Sequence, residues 1–252
     1  AAKRRSQKSG VRTRQLPGVS PLVFSRFLLE KTAFLSLSDM GKALPSYEEI
    51  PIACRMDEAV QSEYKRIENA LVRVLRSDRR VAQKILSAYL NLLTVYPDQP
   101  YDQKPILYPD SDVPIVEPEN IGDADTLGEK EQRTLEIVRA AIQNGERALI
   151  YTSWVRTDSQ QKLKKLLTDE GYRTEILTDK IKTIDREDWV QKKLAAGMQV
   201  LITNPSLVET GLDLNAFTTL VFYSMGYKLF TLRQASRRSW RINQKAPAVK
   251  VY

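Results

Sequence analysis

The sequence predicts an α/β protein, a doubly wound parallel sheet with helices on both faces, preceded by a mostly helical region. Three features predict it. After Asp125 short apolar runs alternate with stretches of helical periodicity, the rhythm of parallel strands joined by crossover helices. Gly145, Gly171 and Gly197 each close a helical stretch, where glycine readily takes the left-handed conformation that ends a helix. Six of the twelve prolines fall between Pro97 and Pro118, which interrupts regular structure and separates the two halves. The expected organisation is a basic arm and helical region over 1–96, a proline-rich extended linker over 97–125 and the α/β lobe over 126–252.

The first fourteen residues carry Lys3, Arg4, Arg5, Lys8, Arg12 and Arg14 without an acid, a solvated arm or a nucleic-acid contact. Apolar residues from Pro21 to Met40 suggest helical structure, and Glu49–Arg55 reads as a short strand. Val60, Tyr64, Ile67, Leu71, Val74 and Leu75 keep helical spacing behind Asp57, a plausible N-cap, and a second packing helix runs from Arg80 to Tyr96. In the lobe, helices are expected over 128–144, 159–170 and 184–196, with a short helical segment over 205–209. Strands are expected over 148–152, 174–177, 200–203 and 219–223. Ligands of such sheets bind beyond the carboxyl ends of the strands, which makes Ser153, Asn204 and Ser224 candidates by position.

Composition excludes several chemistries. The 252 residues contain no histidine, so Ser-His-Asp and Cys-His catalysis and histidine-bound zinc are ruled out within this sequence. One cysteine, Cys54, allows neither an internal disulfide nor a cysteine metal cluster, fits a reducing cytoplasm, and reads as a small core residue at a strand end. No apolar run is long enough to span a bilayer, so no membrane partner is expected. A net charge of +8 suits a polyanionic partner. The chain opens with Ala-Ala and stops inside the alternating pattern Val249–Tyr252, so a piece of a longer polypeptide is expected.

The stretch Gln234–Gln244, QASRRSWRINQ, is the most informative local feature. On a helix, Gln234, Arg238 and Arg241 would share one stripe, with the two arginine β-carbons roughly 5–6 Å apart. Two guanidiniums that close repel unless an anion lies between them, and Leu214 to Tyr252 contains no Asp or Glu. Phosphate is the natural third party, since guanidinium grips it bidentately.

Three segments then resemble, in order and spacing, the second RecA-like motor lobe of superfamily 2 helicases, in particular of Swi/Snf-type DNA-translocating ATPases. ALIYTSW (Ala148–Trp154) is similar to the fourth motif of that family, VLITNPSLVETGLDLN (Val200–Asn215) to the fifth, and QASRRSWRINQKAPAVKVY (Gln234–Tyr252) to the sixth. LPSYEEIPIACRMDEAVQSEY (Leu44–Tyr64) is similar to the link between the two lobes. The resemblance implies that Arg238 and Arg241 act as arginine fingers on ATP with Mg2+, that Gln234 senses the nucleotide, and that Gly211 and Asp213 stand near it. It implies that Thr152, Ser153, Asn204 and Thr210 touch the backbone of DNA, double-stranded in view of the Swi/Snf likeness. It also implies a first RecA-like lobe, N-terminal in the same polypeptide, that holds most of the nucleotide: neither a GxxxxGK[ST] loop nor an Asp-Glu box occurs here.

The departures from the family pattern are Arg237 where an acid usually stands, Trp240 for a histidine and Asn243 for a glycine. Asn243 suits a left-handed helix cap, and Asn204-Pro205 lengthens the approach to Gly211. The fragment alone is expected to be inactive. A module that keeps the lobe only to bind nucleic acid or protein is the alternative, and the retained Gln234, Arg238 and Arg241 speak against it, since pure binding needs no finger.

Overall fold

The computed structural model describes residues 2–4, 14–16, 20–33, 44–153, 159–208 and 211–252. The chain divides into two compact units, Ala1–Ala43 and Leu44–Tyr252. In the first, β1 (Ala2–Arg4) pairs antiparallel with β2 (Arg14–Leu16), so Lys3, Arg4 and Arg14 of the basic arm lie on a hairpin. A single helical turn, α1 (Pro21–Val23), continues as a π turn over Phe24–Leu28 and a 3-10 turn over Leu29–Lys31. Proline at the first turn sacrifices no hydrogen bond there. The remainder of the expected helical stretch, 34–40, lies outside the described residues.

The second unit is built on a six-stranded, wholly parallel sheet. Its strands are β3 (Ser46–Glu49), β6 (Ala148–Tyr151), β7 (Thr174–Leu177), β8 (Val200–Thr203), β9 (Thr219–Phe222) and β10 (Ala248–Val251), in the order β3-β10-β9-β6-β8-β7. Four helices cover it: α4 (Glu129–Gln143), α5 (Ser159–Asp169), α6 (Arg186–Ala195) and α7 (Leu229–Ser236). The pleat decides what each face receives. Ala148 and Ile150 pack with Val138 of α4 and Leu163 and Leu167 of α5, whereas Leu149 and Tyr151 pack with Val190 of α6 and Ala235 of α7. A strand buried on both faces has no polar position, which is why ALIY reads as a continuous run and not as alternation.

The central strands therefore carry much of the lobe's stability. Leu201 of β8 is fully buried among these side chains. Leu201→Ala is expected to destabilise the unit by about 2–5 kcal/mol, seen as a lower urea midpoint at unchanged slope. A loss under about 1 kcal/mol would contradict this packing.

Two expectations need correction. The strand expected over Glu49–Arg55 is Ser46–Glu49, and it joins the sheet beside β10. The Ile50 amide still donates to the Val251 carbonyl at 2.7 Å, but Pro51 has no N–H to extend the ladder. Cys54 follows in the exposed stretch, so it is not a core residue.

Between β3 and the lobe stands a helical hairpin, α2 (Glu58–Ser77) and α3 (Arg79–Val95). Asp57 occupies the N-cap position of α2 without a capping bond. Asp78, by contrast, accepts from the Arg80 and Val81 amides and so starts α3 where α2 stops. The proline-rich stretch expected as a linker packs on this hairpin. Its strands β4 (Ile106–Leu107) and β5 (Pro114–Val116) pair antiparallel, with Ile106 and Val116 buried against Ile67, Leu71, Leu92 and Tyr96. Among the described residues, no helix is long and apolar enough to cross a membrane.

Candidate functional site at the strand ends and the arginine segment

Just past β6, β8 and β9, three polar residues close on one another. The Ser153 amide donates to Ser224 Oγ at 2.9 Å, and Ser153 Oγ donates to the Ser224 carbonyl at 2.9 Å. Asn204 Nδ2 donates to the Ser153 carbonyl at 3.1 Å. Asn204 Oδ1 in turn accepts from the Ser206 amide at 2.9 Å, which starts the 3-10 turn Pro205–Leu207. Ser153, Asn204 and Ser224 thus form one edge, as their positions after the strands predict. Thr152 is corrected. It is wholly buried, with its hydroxyl accepting from Gln160 Nε2 at 2.8 Å, so it supports this edge from beneath and offers no contact surface. Thr210 lies outside the described residues.

A second group gathers around the Gly211–Asn215 turn. Gly211 has φ +73°, a left-handed conformation that costs glycine nothing, and the space where a Cβ would stand is open. The Asp213 carboxylate accepts from the Asn215 amide at 3.0 Å, while its own amide donates to Glu187 Oε2 of α6 at 2.8 Å. Asp213 therefore shapes the turn.

The arginines arrive on a different element from the one expected. Helix α7 ends at Ser236, with Arg237 as its C-cap, so Gln234, Arg238 and Arg241 do not share a helical stripe. Three side-chain contacts draw the chain out of the helix. Ser239, buried, donates to the Leu214 carbonyl at 3.0 Å. Trp240 Nε1 donates to the Pro45 carbonyl at 2.8 Å, and its ring lies 4.9 Å from that of Tyr47 in β3. Continuing the helix would also align Arg233, Arg237 and Arg241 at four-residue spacing, which like charges disfavour. Asn243 is likewise corrected. It takes no left-handed backbone, and its Oδ1 accepts from Asn215 Nδ2 at 2.8 Å.

These contacts weld the turn to the arginine segment. Gln244 Nε2 donates to the Asn215 and Ser239 carbonyls, each at 2.9 Å, and Arg241 Nη2 reaches the Leu212 carbonyl at 3.4 Å. Arg238 is half-buried and its guanidinium is held below the ordinary arginine range, first by burial and then by the charge of Arg241, with Tyr151 acting the other way. Arg237 is exposed, 5.9 Å from the Trp240 ring. Gln234 is exposed on the last turn of α7. Glu187 carries no sequence signal of its own, because it acts on the Asp213 amide 26 residues away, and the motifs that contain Asn215 and Gln244 give no sign of the cross-links these two make.

Residues 129–243 match the family model described as "Helicase conserved C-terminal domain". No curated protein matches the chain. Among solved structures, the C-terminal part of the Fun30 ATPase domain is similar, with TM-score 0.58 and 13% identity over 82% of this chain and 84% of that one. The Sulfolobus solfataricus SWI2/SNF2 ATPase core in complex with dsDNA aligns with TM-score 0.61 and 19% identity, over 82% of this chain but 40% of its own. The C-terminal domain of the Sulfolobus solfataricus SWI2/SNF2 ATPase aligns with TM-score 0.56 and 16% identity, over 82% and 78%. At such identities the likeness to these structures is one of fold. It is the RecA-like fold that these SWI2/SNF2 structures share, and the present chain spans about two-fifths of the length of that ATPase core.

Proposed function

We propose that this helicase C-terminal domain works as the second motor lobe of a nucleic-acid-dependent ATPase, moving on double-stranded DNA and paired with a first lobe that carries the phosphate-binding loop. One observation carries the reading. Burial first, and then repulsion by Arg241, disfavours the charged form of the Arg238 guanidinium, on a segment with no acid from Leu214 to Tyr252. An anion between them would relieve that repulsion, and a phosphate offers the oxygens that guanidinium groups bind.

The donor set fits nucleotide phosphates. Arg238 and Arg241 would hold the γ-phosphate oxygens from the side opposite the first lobe, and Gln234 would orient the nucleotide. Gly211, with open space beside its backbone, and Asp213 would line its approach. ATP supplies the phosphoryl group, whose transfer spreads negative charge over oxygens that fixed guanidiniums stabilise. The weld from Asn215 to Asn243 and Gln244 keeps the finger segment in place before the reaction, so no reorganisation is needed during it. Among the described residues no cluster of acids could hold a metal ion, and magnesium would be bound by the first lobe. Ser153 and Asn204, at the end of β6 and β8, would meet phosphates of the DNA backbone.

Purified chain 1–252 should therefore hydrolyse no ATP alone, with or without duplex DNA, in a phosphate-release assay. DNA-stimulated turnover by this chain would contradict the two-lobe reading.

A further inference from the structure

We infer that the α2–α3 hairpin positions Ser153 for its DNA contact through two side-chain links that flank Ser224. The inference rests on the proposed reading of Ser153. The first link starts at Asp98, buried just beyond α3, whose Oδ1 lies 2.5 Å from Lys130 Nζ. That ammonium stands 4.4 Å from the centre of the Tyr223 ring. The Tyr223 hydroxyl donates to Glu131 Oε1 at 2.8 Å, where Lys162 Nζ also binds at 2.8 Å. The second link joins Thr94 Oγ1 on α3 to the Tyr227 hydroxyl, 2.7 Å apart.

Tyr223 and Tyr227 bracket Ser224, Met225 and Gly226. Ser224 is the residue that fixes Ser153 by two hydrogen bonds. Gly226 lies beside the Ser153 hydroxyl as well, since a Cβ there would stand 3.6 Å from Oγ. Both ends of the segment that holds Ser153 are thus tied to the hairpin.

Packing leaves this task to the links. The apolar core of the hairpin and the two apolar clusters of the sheet are separate. A cavity of about 480 Å³, lined in part by Thr94, Asp98, Lys130, Tyr223 and Ser224, opens between hairpin and lobe. Where no shared apolar cluster joins two parts of one compact unit, polar links help to set their relative position. Burial disfavours the charge of Asp98, and pairing with Lys130, helped by the more distant charge of Lys162, offsets this only in part, so the first link tolerates little displacement. At Glu131 burial also works against the charge, but Lys162 and Tyr223 outweigh it and keep the carboxyl ionised. Nothing in the nucleotide site uses these groups. Their arrangement makes a shift of the hairpin a shift of Ser224, and hence of Ser153.

Duplex affinity of chain 1–252, measured by fluorescence anisotropy, tests this with Thr94→Val, Tyr227→Phe and the double variant. The sites lie at the surface, so the melting midpoint should barely move. Each single variant is expected to weaken binding by about threefold to tenfold, and the double variant no more than Tyr227→Phe, which already removes both the Thr94 contact and the longer one, 3.4 Å, to the Leu90 carbonyl of α3. Additive losses would show that Tyr227 touches DNA itself and would overturn the inference. Wild-type affinity in the single variants, with a loss in Ser153→Ala, would overturn the inference and leave the site reading intact. Unchanged affinity in Ser153→Ala would remove both.

Discussion

Replacing Arg241 with alanine in a two-lobed parent is expected to lower DNA-stimulated ATP turnover by about 10³–10⁵, while duplex affinity stays nearly unchanged. The magnitude is that of a finger which stabilises charge only as it develops. Its direction follows from where the side chain is held. Arg241 is half-buried and anchored at the Leu212 carbonyl, on a segment tied to Asn215 by Asn243 and Gln244. Arg237, one residue before Arg238, is exposed at the helix end. Arg237→Ala should give the reverse profile, with weaker binding of DNA or a partner and largely preserved turnover. If Arg241→Ala keeps near-normal turnover and Arg237→Ala loses it, the finger assignment fails.

Duplex affinity should fall steeply with salt and depend little on sequence. In the proposed reading Ser153 and Asn204, at the strand ends, meet phosphate oxygens and not base edges, and the net charge of +8 favours a polyanion. Each phosphate neutralised by a lysine or arginine contributes about −0.9 to the slope of log affinity against log salt. With about four such contacts, a fourfold rise in salt costs roughly a hundredfold in affinity. Anisotropy titrations at two salt concentrations measure it, and a salt-insensitive affinity or a strong preference for one sequence would contradict it.

The lobe was legible because its signals are local. A strand buried on both faces is almost wholly apolar, and Ala148–Tyr151 and Val200–Thr203 fall where such runs and the glycine stops before them put them. The first strand was not, because Ser46–Glu49 is a polar edge strand whose partner, Ala248–Val251, lies two hundred residues away. The arginine segment misled for a related reason. Helical spacing is a local pattern, whereas Ser239 and Trp240 answer to Leu214 and Pro45. Burial of Thr152, with its hydroxyl bonded to Gln160 of α5, is again a tertiary fact. Candidate residues could be named from the sequence; the elements that carry and support them could not.

The most direct test is a structure of the two-lobed parent with DNA and a transition-state analogue of the γ-phosphate. The Arg238 and Arg241 guanidiniums should each lie within about 3 Å of the analogue's oxygens. An analogue fully enclosed by the first lobe, with both guanidiniums turned away from it, would contradict the assignment of this lobe as the source of the fingers.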